Sequence, residues 1–189
     1  PVIWSWTDAA RDTEAPPDQF VGYGVILYVE HTDTVYATRG RWTGREQAHL
    51  DITSLELAAE EFARERAIAL AEELGLVDGA AQAGSDGFDL IQVADNKGAR
   101  AVANGMAPTS PALRVILEQR MARRARTPTN RVLAVWAHRE ALDAADAASK
   151  DDDVRMYAEL QRQFGTDVRV ADAGQVPQGV RNLDAAILA

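Results

Sequence analysis

Phe88-Asp-Leu-Ile-Gln-Val-Ala-Asp95-Asn96 is a short, largely apolar run that stops on two polar residues. Its length and its Leu, Ile and Val content suit a buried strand. On its N-terminal side, beyond a Gly/Ala/Asp-rich connector from 77 to 87, the period changes. Leu55, Ala59, Ala63, Ala67, Leu70 and Leu74 recur every three or four positions, which predicts one apolar stripe on a helix of about five turns, ended by Gly75. Further back, residues 2–7, 21–29 and 34–42 are rich in β-branched and aromatic side chains and read as three strands, most simply antiparallel. Residues 11–19, with Pro16-Pro17, form a loop, and His31-Thr-Asp33 is a hairpin turn. On the C-terminal side a short helix is expected over 97–104 and an arginine-rich helix up to Arg126. A strand at 132–136 and a helix over 141–150 follow. The order β-β-β-α-β-α-β-α predicts one α/β domain over residues 1–150. Residues 151–189, with a helix over 154–164 and a strand at 167–170, form a C-terminal extension of unassigned role.

The 189 residues, 47% of them hydrophobic, suffice for a single buried core. There is no cysteine, and the three histidines, at 31, 49 and 138, lack metal-ligand spacing, so any bound metal must sit on carboxylates. No apolar run approaches the roughly 20 residues of a membrane helix. The expectation is a soluble intracellular protein, in cytoplasm or nucleus, without a membrane partner. A chain opening on Pro1 reads as a piece of something longer. The net charge of −9 argues against a polyanionic ligand, but its distribution does not. Residues 112–139 hold seven arginines against the single acid Glu118, a local balance of +6, which leaves −15 on the rest. That stretch is either a phosphate-binding face or an ordinary solvated helix face.

Four acids occupy positions that packing would not choose. Asp8 and Asp95 follow directly on apolar strands, Glu56 opens the long helix, and Asp146 lies within Ala144-Ala-Asp-Ala-Ala-Ser149, whose small neighbours leave room for a ligand. Converging carboxylates require neutralisation by a hard cation such as Mg²⁺, and two such ions catalyse phosphodiester cleavage without a covalent nucleophile. Each residue also has a purely structural reading. Thr53 and Glu56 match a capping box, Asp95-Asn96 can cap a helix, Asp8 can open a turn, and Asp146 can be a helix-surface acid. Trp136 can be core or a base-stacking platform.

Taken together, Trp6-Thr-Asp8 with Gly22-Tyr-Gly24-Val-Ile-Leu, Ile52-Thr-Ser-Leu-Glu56-Leu-Ala-Ala, Val93-Ala-Asp95-Asn96-Lys-Gly-Ala and Ala145-Asp146-Ala-Ala-Ser149-Lys150 resemble ribonuclease H domains, most of all those attached to retroelement reverse transcriptases. The resemblance implies a mixed five-stranded sheet, three antiparallel strands then two parallel, flanked by helices. It implies that Asp8, Glu56, Asp95 and Asp146 are catalytic and bind two Mg²⁺ ions, Mn²⁺ being an alternative. It further implies that His138, in the loop after the strand ending at Trp136, shuttles protons and helps release product. The implied substrate is an RNA–DNA hybrid, with an adjoining reverse transcriptase domain as partner. Arg114, Arg120, Arg123, Arg124 and Arg126 are the candidate phosphate contacts. The rival readings are a non-catalytic module of the same fold serving as scaffold in a polymerase assembly, and a 3′→5′ exonuclease of the superfamily. The exonucleases carry Asp-x-Glu on the first strand, whereas Asp8 is followed by Ala9-Ala10.

Overall fold

A computed structural model describes residues 1–77, 87–108, 110–124 and 129–176. β1 (Val2–Ala9), β2 (Gly22–Val29) and β3 (Thr34–Arg41) form an antiparallel meander in which Asp8 faces Gly24 across the ladder. A 3₁₀ turn over Glu30–Thr32, closed by Asp33 at φ 47°, joins β2 to β3 where the hairpin turn is expected. β4 (Phe88–Ala94) runs parallel to β1, and β5 (Thr129–Trp136) runs parallel to β4.

The sheet has six strands, not five. β6 (Arg169–Asp172) pairs in parallel with β3, giving the order β5-β4-β1-β2-β3-β6. The reason lies in the segment after Lys150: helix α6, Asp153–Phe164, returns the chain to the open edge of β3, whose free backbone groups it then satisfies.

Two helices precede β4. α1 (Gly44–His49) carries no apolar periodicity and is unexpected from the sequence. A capping box between Thr43 and Glu46 starts it. α2 (Ile52–Glu73) starts at Asp51, whose carboxylate accepts from the Ser54 N–H at 2.7 Å, so Thr53 lies inside the helix and forms no capping box with Glu56. α3 (Lys97–Ala103) and α4 (Pro111–Arg124) follow β4, and α5 (Asp143–Ser149) follows a 3₁₀ turn over Arg139–Leu142. α2, with α3 and α4 beside it, covers one face of the sheet, and α5, braced by α6, covers the other.

The larger core lies under α2, around Phe62, Leu55, Phe88 and Leu90. The smaller one joins Ile26 and Val35 to the alanines of α5 and to Met156 and Leu160 of α6, with Trp6, Tyr28 and Phe164 packed at its margin. α2 also buries charge. Glu60, Glu61 and Arg64 are each at most 4% exposed; Arg64 pairs with Glu61 at 3.6 Å, and both glutamates meet Arg120 of α4, whose guanidinium lies 3.0 Å from Glu61 and 3.9 Å from Glu60. Gln92 of β4 bridges the group, accepting from Arg120 and donating to the Glu60 carbonyl. Among the described residues no helix is long and apolar enough to cross a membrane.

Candidate active site

Asp8 sits near the end of β1, where α5 crosses the sheet unusually close. A Cβ on Gly24, its partner in β2, would lie 2.2 Å from the Ala145 carbonyl, so only glycine admits that approach. The contact brings Ser149 within reach, and its hydroxyl donates to the Asp8 carboxylate at 2.9 Å. Glu56 reaches the same point from the second turn of α2. A backbone hydrogen bond from Ala9 holds it, while its Oε2 is buried with no hydrogen-bond partner. Asp95 stands in the bend after β4. Asn96 rather than Asp95 caps α3, its side chain accepting from the Ala99 N–H at 2.9 Å, and this frees the Asp95 carboxylate.

Carboxylate oxygens of Asp8, Glu56 and Asp95 lie within 4.8 Å of one another. Burial is the first reason that Asp8 is pushed up to about 6, with the charges of Asp146 and Asp95 adding to it against the Ser149 hydrogen bond and Lys150. Burial, then Asp8 and Asp95, raises Glu56 well above the ordinary glutamate range. Three hard oxygen donors that repel one another, one with an unpartnered buried atom, fit a hard divalent cation.

Asp146 belongs to the same cavity, of about 440 Å³, but stands apart from this triad. Lys150 Nζ lies 2.6 Å from its Oδ1, Arg139 approaches the same oxygen at 3.2 Å, and Arg155 of α6 reaches Oδ2 at 2.8 Å. Burial opposes its ionisation, but these cations outweigh it and hold Asp146 below the usual carboxylate range. With Arg11 also on the wall, the cavity has an acidic half and a basic half. The basic half was not legible from the motifs, because Arg11, Arg139 and Lys150 share a wall, and Arg155 reaches Asp146, only once α5 and α6 are placed.

His138 is exposed on the loop after β5, its ring edge-on to Trp136 at 4.6 Å, and Arg139 rather than His138 lines the cavity. The Trp136 indole N–H donates to the Asp95 carbonyl at 3.0 Å. Among the expected phosphate contacts, Arg114 is exposed on α4. Arg120 is not available to a substrate. At 5% exposure it serves as counter-ion to the two glutamates that α2 buries. Arg123 and Arg124 end α4, and Arg126 lies outside the described residues.

No family model matches the sequence, and no curated protein matches it. Among solved structures, LC11 ribonuclease H1 in complex with an RNA/DNA hybrid is similar at 15% identity, over 77% of this chain and 92% of that one, with a TM-score of 0.53. LC11 ribonuclease H1 isolated from compost is similar at 19% identity, over 80% and 97%, also with a TM-score of 0.53. The N-terminal ribonuclease H domain of a Mycobacterium tuberculosis protein matches at 18% identity, over 86% and 98%, with a TM-score of 0.50. The fold is ribonuclease H-like, with a sixth strand added.

Proposed function

We propose that this ribonuclease H fold is a metal-dependent endonuclease that hydrolyses the RNA strand of RNA–DNA hybrids by a two-metal-ion mechanism, and that it works as a module of a reverse transcriptase. The observation that carries the reading is the convergence of Asp8, Glu56 and Asp95, with Glu56 Oε2 buried and unpartnered. The similar structure holding an RNA/DNA hybrid supports the choice of substrate. Asp8, Glu56 and Asp95 would hold the cations, Mg²⁺ or Mn²⁺, and Asp146 would join them by giving up one of its basic partners. When bound, such ions supply an activated water and neutralise charge on the leaving oxygen.

The chain's own groups do the rest. Ser149 fixes the rotamer of Asp8, and the Ala9 N–H fixes Glu56. Arg11, Arg139 and Lys150 give the cavity a cationic wall facing the phosphate. His138, on the loop after β5, would take and return protons. Arg114, with Arg123, Arg124 and Arg126, contacts backbone phosphates, and the hybrid is read by shape and 2′-hydroxyls. A body of net charge −9 gains from a basic neighbouring domain that holds the same substrate.

The test is cleavage of a labelled hybrid, compared with double-stranded DNA and single-stranded RNA, in Mg²⁺, Mn²⁺ or chelator, by wild type and Asp95→Asn. Metal-dependent cutting of the hybrid's RNA strand alone, lost in the variant, is expected. If wild type cuts nothing with either metal, even beside a polymerase domain, the fold is a non-catalytic scaffold.

A further inference from the structure

Each acid of the triad is oriented by a different neighbour. Ser149 holds Asp8 and the Ala9 N–H holds Glu56, both through the carboxylate. Asp95 is held through its backbone. We propose that Trp136 is a positioning residue for Asp95: its indole N–H, bonded to the Asp95 carbonyl, fixes the bend after β4 so that the Asp95 carboxylate meets those of Asp8 and Glu56. The inference rests on the metal-site reading given above.

The geometry supports it from both sides of the bend. The last ladder contact before Asp95 is made by the same strand end, where the Ala137 N–H donates to the Ala94 carbonyl at 3.1 Å. One residue later the Trp136 Nε1–H reaches the Asp95 carbonyl at 3.0 Å. Just beyond, Asn96 is committed as the cap of α3. Ala94, Asp95 and Asn96 are thus held in succession, and the middle hold is a side chain 41 residues away.

Nothing in β5 pairing requires that bond. An indole has one donor and no acceptor, and here the donor is spent on the backbone of a site residue rather than on water or a strand partner. The indole is itself immobilised. Lys97 Nζ sits 4.9 Å from its ring centroid, and the His138 ring meets its edge at 4.6 Å. A rigid side chain with two rotatable bonds, pinned by a cation and an imidazole, holds the carbonyl at a fixed point. Losing the bond would release the bend after β4 and let the Asp95 Cα, and the carboxylate it carries, shift away from the other two acids. Supporting contacts of this kind around metal ligands are worth about 10–100-fold in affinity or activity.

The discriminating variant is Trp136→Phe, which keeps the ring and removes the donor. Titrating Mn²⁺ calorimetrically into wild type and variant is expected to show affinity about tenfold weaker in Trp136→Phe. The cation-free melting point should move by only a few degrees. In hybrid cleavage kcat should fall while the KM for hybrid stays within about twofold, a split that general loosening of the fold would not give. In the wild-type protein the Trp136 indole N–H resonance should shift along a Mg²⁺ titration, a readout that does not depend on the variant folding.

A folded Trp136→Phe with Mn²⁺ affinity and kcat both within about twofold of wild type overturns the inference. So does an indole resonance that ignores Mg²⁺. Both outcomes leave the nuclease reading standing if wild type cleaves hybrid. A wild-type protein that neither binds Mn²⁺ nor cleaves hybrid removes the site itself, and the role of Trp136 with it.

Discussion

Burial and the charges of Asp146 and Asp95 push Asp8 up from 3.8 to about 6, and the same sign holds for Glu56 and for Glu60, raised by burial to about 7. The folded chain therefore binds these protons more tightly than the unfolded one. The stability that Asp8 and Glu60 contribute is full below about pH 4 and is lost as pH rises through 6 to 7, and Glu56 acts in the same direction. For Asp8 alone the shift corresponds to about 3 kcal/mol. In chelator, the protein should melt at a higher temperature at pH 5 than at pH 7.5. Asp8→Asn, which cannot ionise, should raise the melting point at pH 7.5 by several degrees and at pH 5 by roughly half as much, while abolishing cleavage. Equal destabilisation at both values would show that Asp8 is not repelled by its neighbours. All four acids were legible in sequence because each adjoins an element end or lies among alanines. Their partners were not. Lys150, Arg139 and Arg155 surround Asp146 only because the chain turns at Asp151, at φ 62°, between α5 and α6.

At the scale of elements, Thr-x-x-Glu occurs twice within fourteen residues, at 43–46 and 53–56, and only the first is a capping box. The second is displaced by Asp51, which caps two residues earlier and turns Glu56 into the cavity. Strand boundaries were legible wherever side chains alternate or run apolar. α1 escaped for want of periodicity, and β6 lies two residues later than expected because its four residues are only half-buried or exposed. α4 shows the same limit. Its arginines look equivalent in sequence, yet Arg120 points inward to Glu60 and Glu61. Arg120→Ala should cost about 3–5 kcal/mol in urea unfolding, because it leaves buried carboxylates without that counter-charge. Its KM for hybrid should match wild type, whereas Arg114→Ala should leave stability alone and raise KM. A stable Arg120→Ala with weakened hybrid binding would return Arg120 to the surface.

Across the whole molecule, the order of elements up to Lys150 was readable apart from α1, but the place of the following segment was not. Nothing in residues 153–172 says which edge of the sheet they seek. The structure places Met156 and Leu160 in the second core, Phe164 against Trp6 and Tyr28, and β6 on β3. Burying each such side chain is worth about 1.5–3 kcal/mol, and their sum rivals the whole stability of a typical domain. A chain ended at Lys150 should therefore melt at least about 10 °C lower, or lose cooperative melting. Unchanged melting would make the segment a dispensable appendage. The hydrogen bond from Ser149 to Asp8 spans 141 residues. At roughly 5–20 residues per second, a ribosome that has released β1 needs on the order of ten seconds more before α5 exists to receive it. The contact that orients Asp8 therefore forms late: Asp8, Glu56 and Asp95 have all been synthesised before the serine that holds the first of them exists.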